Sequence, residues 1–350
     1  HLSSRRQRQM CIRDSLITSA SGAYGYFFIY QLDNSNEVEV QQEQVQETNE
    51  TVEEEPEEPE EPEEPPQEDN SSFFIGMKDE CFEYDGIDRC WTIYVPNSTD
   101  DSQSIPLILD LHALERSADN QYRLSDMDRI AEENNAIVVY PHGYENSWNF
   151  GQCCDPANED GIDDYGFLRT LVYHISDTFP VDTYRVYMTG WSTGCAMAQA
   201  FANDASDILA AMACMSMYLL EEPSSGYNAI PIMEIHGLED PIAPYGSLIT
   251  SSIIFQQQVW FTGAEQNLFE WKEMNGCSGD TPVLSETNLG YTVQEFTDCD
   301  NGSEVALVSL NLAAHNVYLK NDPGSPEPGN PGGVDTPQIA WDFLSRFSKQ

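Results

Sequence analysis

The sequence predicts an α/β protein built on a mostly parallel, eight-stranded sheet with helices on both faces. Three observations predict it. Short apolar runs recur between residues 80 and 310, and segments of helical spacing separate most of them. Several runs are apolar at nearly every position, as strands covered on both faces must be.

The sheet opens with a hairpin. Glu80 to Pro96 turns at Asp85-Gly86, a two-residue type I′ signal. Its second arm is Arg89–Val95, and further strands read at Pro106–Leu111, Ala136–Tyr140, Arg185–Met188, Leu209–Met215, Pro231–Ile235 and Glu304–Leu310. Helices are expected at Asp119–Asn134, Asp164–Thr178, Thr193–Asn203, Glu265–Asn275 and Thr336–Phe347. Before the second helix runs an acidic loop, Asp155 to Asp164. It lacks calcium-loop spacing, because Pro156 and Phe167 stand where ligands would be required. Gly161 reads instead as the turn and Asp163 or Asp164 as the helix cap.

The segments ahead of position 71 have a different character. Residues 1–15, with Arg5-Arg6-Gln7-Arg8-Gln9-Met10-Cys11-Ile12-Arg13-Asp14, read as the translation of a sequencing adapter and are set aside as a scar. Residues 16–32 carry no charge through Leu32 and include Tyr24-Gly25-Tyr26-Phe27-Phe28-Ile29-Tyr30, which suggests a truncated signal peptide or membrane anchor. Residues 33–70 are acidic and proline-rich, with sixteen acidic residues and no basic one from Glu37 to Asp69. Such a segment is expected to be an extended linker. Anchor, spacer and domain in that order suggest a protein outside the cell, secreted or held at the surface by an N-terminal membrane tether.

Residues 71–350 suffice for one domain. They contain 42 acidic residues against 11 Lys or Arg, a formal charge of −31. A nucleic-acid partner is excluded by that balance, and anionic polymers are disfavoured.

The densest chemical signal is Gly190-Trp191-Ser192-Thr193-Gly194, between the strand at Arg185–Met188 and the helix from Thr193. A G-x-S-x-G on a sharp strand-to-helix turn lifts the serine clear of the sheet, above a helix N-terminus. Asp240 lies a few residues past the strand Pro231–Ile235, and His315 follows the strand Glu304–Leu310. Ser192, Asp240, His315 is the Ser…Asp…His order of the α/β-hydrolase fold. A serine hydroxyl needs a neutral imidazole as its base, and the imidazole needs a carboxylate to fix its tautomer. Glu239 is the rival acid. His142 and His236 read as hydrogen-bonded scaffold, and His174 falls inside a helix.

Further residues carry a family resemblance. They include the Asp-Gly hairpin, Leu111-His112, Val139-Tyr140-Pro141-His142-Gly143, Trp148-Asn149, Cys153-Cys154 and Pro156-Ala157-Asn158. Downstream of the elbow come Ile235-His236-Gly237 with Asp240-Pro241, Asn275-Gly276-Cys277 and Ile339-Ala340-Trp341-Asp342-Phe343. From about Met77 to Phe347 the chain resembles the secreted polyhydroxyalkanoate (polyhydroxybutyrate) depolymerase and feruloyl or acetylxylan esterases, carbohydrate esterase family one. The resemblance implies a secreted serine esterase that needs no cofactor, with Ser192 as nucleophile, His315 as base and Asp240 as orienting acid. It places the oxyanion hole at the backbone N–H groups of Leu114 and Thr193. Other enzymes of the fold (lipase, thioesterase, peptidase) and a non-catalytic, surface-tethered binding module are the alternatives.

Without the scar, eight cysteines remain. In a two-residue hairpin at Asp85-Gly86, Cys81 and Cys90 stand opposite each other at a non-hydrogen-bonded pair, which suits a disulfide. Cys277 and Cys299 flank a hairpin-like region around Asn288-Leu289-Gly290 and are expected to bond. Cys154 is expected to bond Cys195 and tie the Trp148–Asp160 loop over the site, leaving Cys214 a buried thiol. The adjacent Cys153-Cys154 pair has no zinc spacing, so no metal is expected. Trp148, Trp191 and Tyr318 are expected to rim the cleft and receive substrate. The expected substrate is a neutral polyester or a feruloyl or acetyl polysaccharide ester.

Overall fold

The computed structural model describes residues 73–100, 102–151, 153–252, 257–322 and 329–349. The scar, the apolar segment and the acidic linker expected at residues 1–70 lie outside the described residues.

Strand β1 (Gly76–Tyr84) pairs antiparallel with β2 (Ile87–Val95), and Tyr84 faces Ile87 across the turn. Asp85 (φ 51°) and Gly86 (φ 79°) both take the positive φ that a type I′ turn demands. Then follow β3 (Ile105–Leu111), helices α1 (Ala118–Ser125) and α2 (Met127–Asn134), and β4 (Ile137–Pro141). After α3 (Asp164–Thr178) come β5 (Val181–Gly190), α4 (Thr193–Asp204), β6 (Ala211–Met215) and β7 (Ile232–Gly237). A ribbon of β8 (Leu248–Ser252) and β9 (Gln257–Phe261) stands apart from the main sheet. The chain continues through α5 (Ala264–Met274), β10 (Val283–Thr287), β11 (Tyr291–Phe296), β12 (Val305–Leu310) and α6 (Thr336–Leu344).

The main sheet runs in the order β1-β2-β4-β3-β5-β6-β7-β12-β11-β10. From β4 to β12 every pairing is parallel, and the pairs at both edges are antiparallel. The eight expected strands form one α/β-hydrolase sheet. The hairpin β10–β11 extends it to ten strands, because β11 pairs with β12 over Tyr291–Leu310 to Phe296–Val305. Val283 and Leu284 are exposed on that outer strand, so the sequence carries no buried-strand pattern there.

Alternating side chains divide the interior into two cores. Leu107, Leu109, Ile137, Val139, Val186 and Met188 pack with α3, α4 and α5 on one face. Ile108, Val138, Tyr140, Tyr187 and Ala213 pack with α1, α2 and α6 on the other. The helix expected over Asp119–Asn134 is two helices. Asp126 breaks it with a left-handed φ of 60°, a conformation that Asp tolerates better than most residues. Its carboxylate is held there by Arg129 at 2.8 Å and Lys320 at 2.6 Å.

The acidic loop ahead of α3 is anchored by the first hairpin. Asp163 caps the helix at the Gly166 amide (2.9 Å) and takes the Tyr84 hydroxyl at 2.7 Å. Asp164 is buried against Arg89 at 2.5 Å and accepts the Asn149 amide at 2.7 Å.

Candidate active site

The elbow stands where β5 turns into α4. Ser192 has φ 56° and ψ −122°, a sparsely populated conformation costing about 1–3 kcal/mol that surrounding contacts must enforce. Trp191 N–H donates to the Leu111 carbonyl of β3 (3.1 Å), and Ser192 N–H donates to Met215 of β6 (2.8 Å). The turn is therefore pinned to both neighbouring strands. Neither flanking glycine has positive φ; both are required for space. A Cβ on Gly194 would run into the Leu111 and His112 carbonyls, and one on Gly190 would meet the Gly194 backbone.

Parallel register brings the other loops to the same end of the sheet, since Leu111 lies beside Gly190 and Gly237 beside Leu310. His315 Nε2 lies 2.8 Å from Ser192 Oγ, and His315 Nδ1 lies 2.8 Å from Asp240 Oδ2. All three residues are nearly buried. Asp240 Oδ1 accepts the amides of Ile242 and Ala243, each at 2.8 Å. Burial alone would raise the Asp240 pKa. The His315 charge, together with hydrogen bonds from His236 and His315, instead holds it well below the usual carboxylate range. Glu239, the rival acid, is exposed.

Thr193 opens α4 directly after Ser192, Leu114 lies on the loop after β3, and neither amide donates to a backbone acceptor among the described residues. The loop bearing Leu114 is fixed by His112, which is fully buried. Its Nδ1 lies 2.8 Å from the Ala113 carbonyl, and its Nε2 accepts the Gly143 amide at 2.9 Å. Those partners require the neutral ring with its proton on Nδ1. Burial agrees, lowering the pKa to about 4. Ala113 has no positive φ, so alanine sits there without strain.

The geometry thus brings together a serine hydroxyl, an imidazole and a carboxylate in one hydrogen-bonded chain, the arrangement an acyl transfer would use. Residues 89–253, which include Ser192 and Asp240, match the family model for esterase PHB depolymerase. Feruloyl esterase B of Piromyces equi is 26% identical over 262 residues, covering 72% of this chain and 44% of the relative. Over these residues the chain is similar to esterases of the PHB depolymerase and feruloyl esterase type. Also similar are the bifunctional acetylxylan esterase/xylanase XynS20E of Neocallimastix patriciarum (22% identical, 75% of this chain, 34% of the relative) and feruloyl esterase D of Neurospora crassa (24%, 75% and 83%). The chain spans less than half the length of the first two relatives and most of the third.

The three expected substrate aromatics stand elsewhere than the sequence suggested. Trp148 is fully buried, and Trp191 and Tyr318 are 4% and 1% exposed. Their polar groups are engaged internally: Trp148 Nε1 donates to the His112 carbonyl (2.9 Å), Trp191 Nε1 to that of His315 (2.8 Å), and Tyr318 OH accepts from Gln121 (3.1 Å). They brace the oxyanion and histidine loops from beneath. Closeness in sequence to site loops marked them, but it could not tell rim from foundation.

Cysteine pairing needs one correction. Cys81–Cys90 and Cys277–Cys299 are joined as expected. Cys195 bonds Cys214, whereas Cys154 bonds its neighbour Cys153. Cys214 is therefore no free thiol. The α4 helix packs directly on β6 and brings the Cys195 and Cys214 Cα atoms to 5.1 Å, a helix-to-strand proximity invisible along the chain. His236, expected as hydrogen-bonded scaffold, is held between Glu234 and the Ala243 carbonyl, and Glu234 is the neighbour that the sequence reading missed. The signal was present in the alternation of β7, which puts residues 234 and 236 on one face.

Proposed function

We propose that this chain is an extracellular carboxylic ester hydrolase that works through an acyl-enzyme on Ser192. His315 takes the Ser192 proton as Oγ attacks the ester carbonyl, and the Leu114 and Thr193 amides receive the oxyanion. The imidazolium then protonates the departing alkoxide. In the second half-reaction His315 takes a proton from water as its oxygen attacks the acyl carbonyl; the bond to Ser192 Oγ then breaks, and the imidazolium returns the proton to Oγ as the acid departs. Asp240 keeps the imidazole in the tautomer with Nδ1 protonated.

The observation that carries this reading is the pair of 2.8 Å contacts from His315 to Ser192 and Asp240. Four disulfides that use every cysteine from Cys81 onward support an oxidising compartment. The proposed substrates are neutral esters: feruloyl or acetyl groups on a polysaccharide, or a hydroxyalkanoate polyester. The names of the curated relatives favour the polysaccharide esters, and the formal charge of −31 disfavours anionic polymers. Product analysis on methyl ferulate, acetylated xylan and poly-3-hydroxybutyrate tests the proposal. Hydrolysis of at least one is expected; activity confined to amides or long-chain triglycerides would overturn it.

A further inference from the structure

Behind Asp240 lies a second histidine that the reaction above does not use. His236, near the end of β7, is fully buried. Its Nδ1 stands 2.6 Å from Glu234 Oε1, its Nε2 2.8 Å from the Ala243 carbonyl, and Asp240 Oδ2 is 3.4 Å from Nε2. A carbonyl only accepts, so Nε2 carries a proton. Glu234 Oε2 accepts from Asn267 Nδ2 of α5 at 2.5 Å, and Oε1 shares one proton with His236 Nδ1. With that proton on the ring, both ring nitrogens are protonated.

The surroundings fit a cation. Glu234 faces the ring from its own strand and Asp240 from the following loop. Tyr218 stacks parallel at 5.5 Å, and Tyr245 meets the ring edge-on at 5.8 Å while its hydroxyl contacts Ser309 of β12. Burial raises both phenols, Tyr245 to about 12 and Tyr218 further, so neither is anionic near neutrality. Among the described residues, no Lys or Arg forms an ion pair with Glu234 or Asp240. Burial opposes a charge on His236. Hydrogen bonds to Asp240 and Glu234, with the charges of both, outweigh it and raise the pKa to about 10. Burial raises Glu234 as well. The proton contested by the pair rests on the imidazole, because Asp240 attracts it there and Asn267 already occupies the carboxylate.

We propose that His236 is a positioning residue of this site, a buried imidazolium that bridges Glu234 and Asp240 and fixes the Asp240 carboxylate for His315. This rests on the Ser192–His315–Asp240 reading of the reaction. An unshared Asp240 charge would favour the protonated state of its partner imidazole, which is the inactive form of the base. The cation behind Asp240 offsets part of that pull.

Two measurements on the full chain test the inference. His236→Gln keeps a donor toward the Ala243 carbonyl and removes the charge. The acid limb of its kcat/KM profile is expected to move up by about 0.5–1 pH unit. An unmoved limb with uniformly lower activity would assign His236 a merely structural role and overturn the proposal. Independently, nitrogen NMR of the histidine side chains in the Ser192→Ala chain is expected to show both His236 nitrogens protonated at pH 7.5. Adding Glu234→Gln should lower the pH at which His236 titrates; a neutral His236 at pH 7.5 refutes the inference even if the activity variants fold poorly. Undiminished esterase activity in Ser192→Ala would sink the reaction reading instead, and the NMR result on His236 would still decide its charge.

Discussion

Trp191 Nε1 donates to the main-chain carbonyl of His315 across 2.8 Å, so the residue before the nucleophile anchors the loop that carries its base. The indole also lies 5.5 Å from the His315 ring and 6.3 Å from Tyr318. Trp191→Phe keeps most of the packing and leaves a buried carbonyl unpaired, a cost of about 1–3 kcal/mol. It should lower kcat/KM by about tenfold or more through misplacement of His315, with a modest fall in Tm. Steady-state kinetics with a chromogenic ester and a thermal melt check it; unchanged kcat/KM would show that the loop holds its position unaided.

Replacing Ser192 or His315 with Ala should reduce ester kcat by at least about 10³-fold, because nucleophile and base act as one unit. Glu239→Gln should have little effect, since its side chain is exposed while Asp240 meets His315. Near-full turnover in either alanine variant would refute the assignment.

Asp110 predicts a pH effect on stability. It is fully buried on β3, with Gln121 Nε2 at 2.8 Å. Burial raises its pKa to about 7, and the hydrogen bond from Gln121 only partly offsets this. The folded state thus holds the proton longer than the unfolded chain, where an Asp titrates near about 3.9. The stability linked to this proton is fully present below the unfolded value and is lost as pH rises through about 7. Asp110→Asn abolishes that dependence. Melts of both proteins from pH 4.5 to 8.5 should show the wild type losing ground to the variant as pH increases; a constant difference would mean that Asp110 is ionised throughout.

Arg89 and Asp164 form a buried pair at 2.5 Å, with the guanidinium 3.8 Å from the Phe167 ring centroid. Removing one partner strands the other charge in the core. Arg89→Met or Asp164→Asn should therefore cost about 3–5 kcal/mol in denaturant unfolding. A loss below about 1 kcal/mol would indicate that water reaches the pair.

Non-reducing peptide mapping of the protein expressed into an oxidising compartment should return Cys195 linked to Cys214 and Cys81 linked to Cys90. A Cys154–Cys195 peptide would contradict the α4–β6 packing described above.

The order Ser192, Asp240, His315 was legible because each part is a local signal. Glycines at 190 and 194, an apolar strand before them and a small-residue helix after them specify an elbow wherever they occur. Asp240 and His315 each follow an apolar strand. The first disulfide followed from turn chemistry, since Asp85-Gly86 fixes the register that sets Cys81 opposite Cys90.

What the sequence by itself determined are features set by period, turn residues and order along the chain: the strands, the elbow, the order of the triad and the hairpin disulfide. Tertiary structure alone decided which side chains face inward at the site. Trp148, Trp191 and Tyr318 lie beneath their loops because main-chain carbonyls and a glutamine amide capture their polar groups there. Cys214 found Cys195 because a helix lies across a strand, and Glu234 and His236 came to stand behind Asp240 because the loop after β7 folds back on that strand. Each depends on contacts between segments far apart in the chain or on a turn of the backbone in space, and side-chain periodicity does not encode either.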